Sequence, residues 1–341
     1  MVHARRLVQE TLRSSVRRFC PPFQFACFHR AALIAEVPAR KNNALLAFGL
    51  LFAIFLWGGN NTGTKYLVNV WPPIWTGGSR FLCAGLLLMA LLRWTPLFGD
   101  LCALTPELRR RLWLRGGLSL AAYIVTFNSA LRYTNASHVA LYLGASPVWA
   151  LIWEGQISRS LRRLVAAVLA LSGVVVLFWP ALGKNQGTWL GEVLGLVASV
   201  LWTNYGRECR ALGRNLSGVE TTAHTMWRAG LLLLPLAGLE IWQRGGLTWH
   251  WALCLVQIYC ILAGGVVAFA IWNQALRYWP TSQVLLFNNL IPVSTMTWAH
   301  FWLGEKFTST FWLAMSLIIA GVIISQISWP RLAVLRPVPP E

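Results

Sequence analysis

Apolar runs of about 18 residues or more recur along the chain, separated by short polar breaks. As helices, runs of that length cross roughly 30 Å of hydrocarbon. Ten spans are expected, at approximately 44–68, 72–93, 112–132, 134–154, 163–180, 188–206, 219–242, 252–276, 281–302 and 308–328. Inside lipid a backbone must satisfy its own hydrogen bonds, which leaves helices or closed barrels. The alternating pattern of a membrane barrel is absent from these runs. The predicted class is therefore all-α and integral to the membrane. Residues 69–71 and 133–134 leave room only for tight helical hairpins.

The pattern then repeats itself. "NSALRYTNASHVALYLGASPV" at 128–148 and "NQALRYWPTSQVLLFNNLIPV" at 273–293 share ten of 21 positions at an offset of 145. The same offset pairs Trp57 with Trp202, Lys65 with Arg210, Leu67 with Leu212 and Trp153 with Trp298. It also pairs "AGLLL" at 84–88 with "AGLLL" at 229–233. A slip of three then brings "SGVVV" (172–176) onto "AGVII" (320–324). Each half thus holds five spans. Five is odd, so the second half enters the membrane from the opposite side. The expected architecture is ten transmembrane helices as two inverted-topology five-helix repeats, an arrangement that supplies two related states, each open to one side. The expected division is a basic tail at 1–43, a first repeat at 44–180, a second at 188–328 and a C-terminal tail at 329–341.

Composition agrees with this picture and charge orients it. The chain is 56% hydrophobic and 12% charged, against about 25% charged in soluble domains. Its net charge of +18 raises the question of nucleic acid, but the distribution answers it. With the N-terminus inside, 22 Lys and Arg fall on the inner side and five on the outer, namely Lys65, Arg132, Lys184, Arg244 and Lys306. This is the positive-inside bias, with both termini cytoplasmic and the lipid bilayer as the basic residues' partner. The localisation expected is a bacterial inner membrane. The basic tail, with no run long enough to span, reads as a disordered segment or a transit-type sequence. Seven cysteines show no CxxC and no metal spacing, so no cofactor, metal or disulfide framework is expected.

The candidate chemistry lies inside the spans. Trp57, Asn60, Asn61 and Thr64 sit at i, i+3, i+4 and i+7 and form one polar stripe on span 1. Asparagine lacks partners in hydrocarbon, so the stripe faces a cavity or bonds to neighbouring helices. Trp202, Tyr205 and Cys209 repeat the spacing on span 6, and Tyr142 and Phe287 are equivalent on spans 4 and 9. Together Trp57, Asn60, Asn61, Tyr142, Trp202, Tyr205 and Phe287 describe an aromatic cavity with a few amides, suited to a small amphipathic molecule. Pro147 and Pro292 occupy equivalent places, each removing a backbone donor; they read as gating kinks or as static bends. His138 could carry a proton or serve as hydrogen-bonded structure. Arg80 and Arg228 lie well inside spans 2 and 7 and read as structural pairs or snorkelling side chains.

Four stretches carry a family resemblance: "LWGGNNTGTKYL" (56–67), "SRFLCAGLLL" (79–88), "ALRYTNASHVALYLGASPV" (130–148) and "LGEKFTSTFWLAMSLIIAGVIIS" (303–325). The chain resembles ten-helix, EamA-type members of the drug/metabolite transporter superfamily over residues 44–328, and is similar to aromatic amino acid exporters. The resemblance implies efflux of small metabolites from a central cavity lined by spans 1, 3, 4, 6, 8 and 9. One departure is the "GE" expected after span 4, which here reads Glu154-Gly155. The expectation is a carrier that is not an enzyme, exporting a neutral amphipathic metabolite such as an aromatic amino acid. Carriers for nucleosides, drug-like cations or nucleotide sugars, and a non-transporting scaffold or receptor, are the alternatives. Either a monomer or a homodimer satisfies the sequence.

Overall fold

The computed structural model describes residues 43–95, 101–134, 136–155, 161–182, 188–303 and 309–326. The terminal stretches 1–42 and 327–341, together with Lys184, Glu305 and Lys306, lie outside them. Ten helical spans run through the described residues: α1 Asn43–Val68, α2 Pro73–Trp94, α3 106–133, α4 136–153, α5 Leu161–Leu182, α6 Trp189–Leu212, α7 Gly218–Gln243, α8 251–278, α9 281–303 and α10 Ser309–Gln326. Three of them, α1, α2 and α8, are each long and apolar enough to cross a membrane on their own.

Local chemistry explains the ends. Pro73 sits in the first turn of α2, where a missing N–H costs nothing. Ser217 and Glu220 form a reciprocal capping box at the start of α7. Thr188 accepts from the Gly191 N–H at 3.3 Å to start α6. Two spans are longer than the apolar pattern indicated. Thr105 caps the basic turn Pro106–Arg111 that opens α3, and α6 continues to Leu212. Polar residues end an apolar run without ending the helix, because helical hydrogen bonding does not require apolar side chains.

Four spans are irregular. Wide, π-type turns occupy Leu112–Gly117 of α3 and Cys260–Ala268 of α8. The α4 helix breaks at Ala145, and Pro147 opens its second segment. The α9 helix passes through a 3-10 stretch at Leu286–Leu290, and Pro292 follows at once. Each of the paired prolines therefore stands just after an interruption.

Packing exchanges the two halves. Helix α2 packs on α7 and α5 on α10, while α1 meets α8 and α9 as α6 meets α3 and α4. Equivalent glycines make the self-paired contacts. A Cβ on Gly85 would run into the Trp227 backbone, and one on Gly230 into the Leu82 backbone. Likewise Gly173 lies against Ile318, and Gly321 against Ala170. Close backbone approach at small residues is how helices associate where lipid removes the hydrophobic drive. The outer surface is apolar, with Phe48, Val168, Leu239, Leu255 and Ile323 exposed on it. Trp94, Trp179, Trp189, Trp242 and Trp251 are exposed at helix ends, the level of a membrane–water interface.

Candidate functional site

The centre of the bundle is an aromatic cluster shared by both halves. Trp57 of α1 lies 5.9 Å from Trp202 of α6, 5.0 Å from Trp272 and 5.1 Å from Phe269 of α8, centroid to centroid. Trp202 also contacts Trp272 at 5.8 Å, Tyr205 at 5.7 Å and Tyr123 of α3 at 4.9 Å. All these side chains are buried. The Trp57 Nε1–H donates to the Gly264 carbonyl at 3.0 Å, in the wide-turn segment of α8. Glycine is needed there, since a Cβ at 264 would collide with the Asn60 amide.

Polar bridges flank the cluster. Arg80 Nη1 donates to Thr64 Oγ1 at 2.8 Å and to Asn60 Oδ1 at 3.3 Å. The Tyr205 hydroxyl lies 3.1 Å from Thr225 Oγ1 and accepts from Asn273 Nδ2 at 3.3 Å. Asn273 also donates to Thr222 at 2.8 Å. Arg228 donates to the His224 carbonyl of its own helix at 2.9 Å and lies over the Trp227 ring at 4.2 Å and the Trp113 ring of α3 at 5.3 Å. Among the described residues, no three His, Cys, Asp or Glu side chains gather closely enough to hold a metal ion.

The structure brings Trp57, Asn60, Trp202 and Tyr205 to this centre and sends the other candidates elsewhere. Asn61 is exposed, so the stripe read on span 1 divides between its two adjacent asparagines. The Tyr142 hydroxyl donates to Glu192 at 2.8 Å, near the start of α6. Phe287 packs on Trp279 at 6.0 Å, in the 3-10 stretch of α9. The cavity expected between these aromatic walls is filled in this structure by the rings themselves. The side chain of His138 lies outside the described residues. Phe269, Trp272, Tyr123 and Gly264 complete the cluster. The i, i+3 spacing of Phe269 and Trp272 on α8 was a legible signal for two of them; Tyr123 and Gly264 had none, because their roles depend on how α3 and α8 are rotated.

Open space lies at one end. A cavity of about 390 Å³ is lined by Glu154, Arg163, Arg207, Arg210 and Arg214 with Ala211, Pro280 and Thr281. Beside it Glu154 accepts from the Ser282 hydroxyl at 2.7 Å and its backbone N–H at 3.1 Å, clasping the end of α4 to the start of α9. Glu192 makes a second clasp, taking hydrogen bonds from Tyr142 and from Thr134 in the α3–α4 turn. Near the paired breaks, Ser146 Oγ lies 3.3 Å from Ser199 Oγ. On α9 the buried Asn289 amide has no partner among the described residues.

The comparisons with known proteins fit this architecture. The EamA-like transporter family matches twice, over residues 44–179 and 189–326. The uncharacterized inner membrane transporter YedA of Escherichia coli K12 is 26% identical over 311 residues, covering 88% of this chain and 97% of that protein. An uncharacterized transporter of Haemophilus influenzae is 22% identical over 305 residues, covering 84% and 96%. A solved crystal structure superposes with a TM-score of 0.65 at 17% identity, covering 83% of this chain and 96% of that one, which shows the shared fold. With both matches together spanning most of its length, the chain belongs to the EamA-like transporter family.

Proposed function

We propose that this transporter exports a small, neutral, amphipathic metabolite by alternating access, with an aromatic amino acid as the leading candidate. The observation that carries this reading is the aromatic cluster built from both halves, Trp57 on one side and Trp202 with Trp272 on the other. A cluster at the junction of two related halves closes the path between them. Its rings can desolvate an apolar body when they part, and Asn60 and Tyr205 offer hydrogen bonds to a polar head. Rocking of the halves parts the cluster toward one side at a time. Pro147 and Pro292 serve as bending points beside the breaks in α4 and α9, and the Glu154–Ser282 and Glu192–Tyr142 clasps hold the ends. With both termini cytoplasmic, the arginine-lined cavity faces the cytoplasm and is the entry for an exported solute.

The test is counterflow in proteoliposomes loaded with L-phenylalanine. Labelled L-phenylalanine is expected to accumulate with the native protein and not with Trp57→Ala or Trp202→Ala. Absence of counterflow with L-phenylalanine and other neutral amino acids, alongside flux of nucleosides or organic cations, assigns the carrier to those solutes instead. Flux of none of them overturns the transport reading.

A further inference from the structure

Arg80 is the eighth residue of α2 and is only 6% exposed. A guanidinium keeps its proton at any ordinary pH, so burial leaves a cation inside the bundle. A buried cation without a counter-charge is costly. Among the described residues no carboxylate lies within 4.0 Å of it. What surrounds Arg80 is neutral: Asn60 and Thr64 as oxygen acceptors, the Cys260 thiol, and the Phe81 ring 5.0 Å from the guanidinium carbon. Both hydrogen bonds leave Nη1. The Nε and Nη2 edge has no oxygen acceptor among the described residues, and that edge is the fork that grips a carboxylate with two parallel bonds.

Two further observations point the same way. The repeat equivalent of Arg80 is Thr225, at the offset of 145, and it joins α6 to α7 through Tyr205 at 3.1 Å with no charge at all. Joining the first two helices of a repeat therefore does not require a cation. Trp272, wholly buried in the cluster, has an Nε1–H with no acceptor among the described residues. The region thus holds a buried cation with no counter-charge and, at Trp272, a buried donor with no acceptor among the described residues.

We propose that Arg80 binds the carboxylate of the transported solute, so that the carrier takes aromatic or apolar monocarboxylates, including zwitterionic amino acids, and rejects the matching amines. This rests on the reading above that the aromatic cluster receives the solute. When the cluster parts, the solute's apolar body lies among the rings and its carboxylate meets the edge of Arg80 that has no oxygen acceptor. Asn60 and Thr64 hold the guanidinium in place from the other side.

The experiment compares L-phenylalanine, phenethylamine and 3-phenylpropionate in proteoliposomes, with the native protein and with Arg80→Lys and Arg80→Gln. The native protein is expected to move L-phenylalanine, to be competed by 3-phenylpropionate, and to handle phenethylamine at least about tenfold less well. Arg80→Gln should erase that preference by losing L-phenylalanine transport while phenethylamine transport holds or rises. Arg80→Lys should keep part of it. A residue that merely braces α1 against α2 would lower both solutes by the same factor, and that outcome overturns the inference. Equal handling of L-phenylalanine and phenethylamine by the native protein overturns it too, even if Arg80→Gln fails to fold, and leaves the transport reading standing. Flux of neither solute removes both.

Discussion

The junction of α1 with α2 and that of α6 with α7 occupy equivalent places in the two repeats, yet they are built from different chemistry. Trp57 corresponds to Trp202, Asn60 to Tyr205, Thr64 to Cys209 and Arg80 to Thr225. The tryptophans meet edge to face, and the helices beyond them close on the equivalent glycines Gly85 and Gly230. The bridge between the helices differs. In the first repeat a buried guanidinium donates to an amide and a hydroxyl; in the second, two hydroxyls share one hydrogen bond. Backbone contact tolerates no added atom, whereas the bridge needs only some hydrogen bond at that depth. The two repeats therefore share packing and differ in charge, which gives the centre a chemical direction that a symmetric duplication lacks.

Four experiments probe this comparison. Trp57→Ala and Trp202→Ala each empty a large volume at the shared centre and should cost about 3–5 kcal/mol. Unfolding in detergent should show similar losses; a loss confined to one of them would break the equivalence of the halves. Gly85→Ala and Gly230→Ala force a Cβ against backbone that has no rotamer to yield, at about 1–3 kcal/mol each. The same measurement should rank these two together, and an undisturbed variant would show that α2 and α7 can separate freely. Tyr205→Phe removes one hydroxyl from Thr225 and Asn273, and should lower stability by about 1 kcal/mol. An unchanged melting curve would mean that the second bridge is dispensable. Asn61→Ala should stay within about 0.5 kcal/mol of the native protein and transport normally, because the side chain is exposed. A transport defect there would return Asn61 to the pathway.

The arginines at the end of the bundle contrast with Arg80 in their surroundings. Arg207 lies 4.8 Å from the Trp153 ring, and Arg210 donates to the Leu276 carbonyl at 3.2 Å and to that of Trp279. These cations border open space of about 390 Å³, whereas Arg80 is enclosed. Basic side chains at an open helix end meet solvent, whereas a buried one is screened far less.

The apolar runs alone set the number and positions of the spans, because length and hydropathy are properties of consecutive residues. The offset of 145 likewise made Trp57 and Trp202 partners before any coordinates, since equivalent residues of a two-fold pair meet wherever they lie near its axis. Rotation about each helix axis was not legible. Neighbouring residues point about 100° apart, so Asn60 can be buried against Arg80 while Asn61 is exposed, depending on which helices pack alongside. Tyr142 and Phe287 are equivalent in sequence, but Glu192 draws Tyr142 away and Trp279 covers Phe287. The wide turns in α3 and α8 shift the phase of every side chain after them, and no periodicity announces such a shift. Chain order determined which residues were available to the centre; helix rotation, breaks and close backbone contact decided which of them reached it.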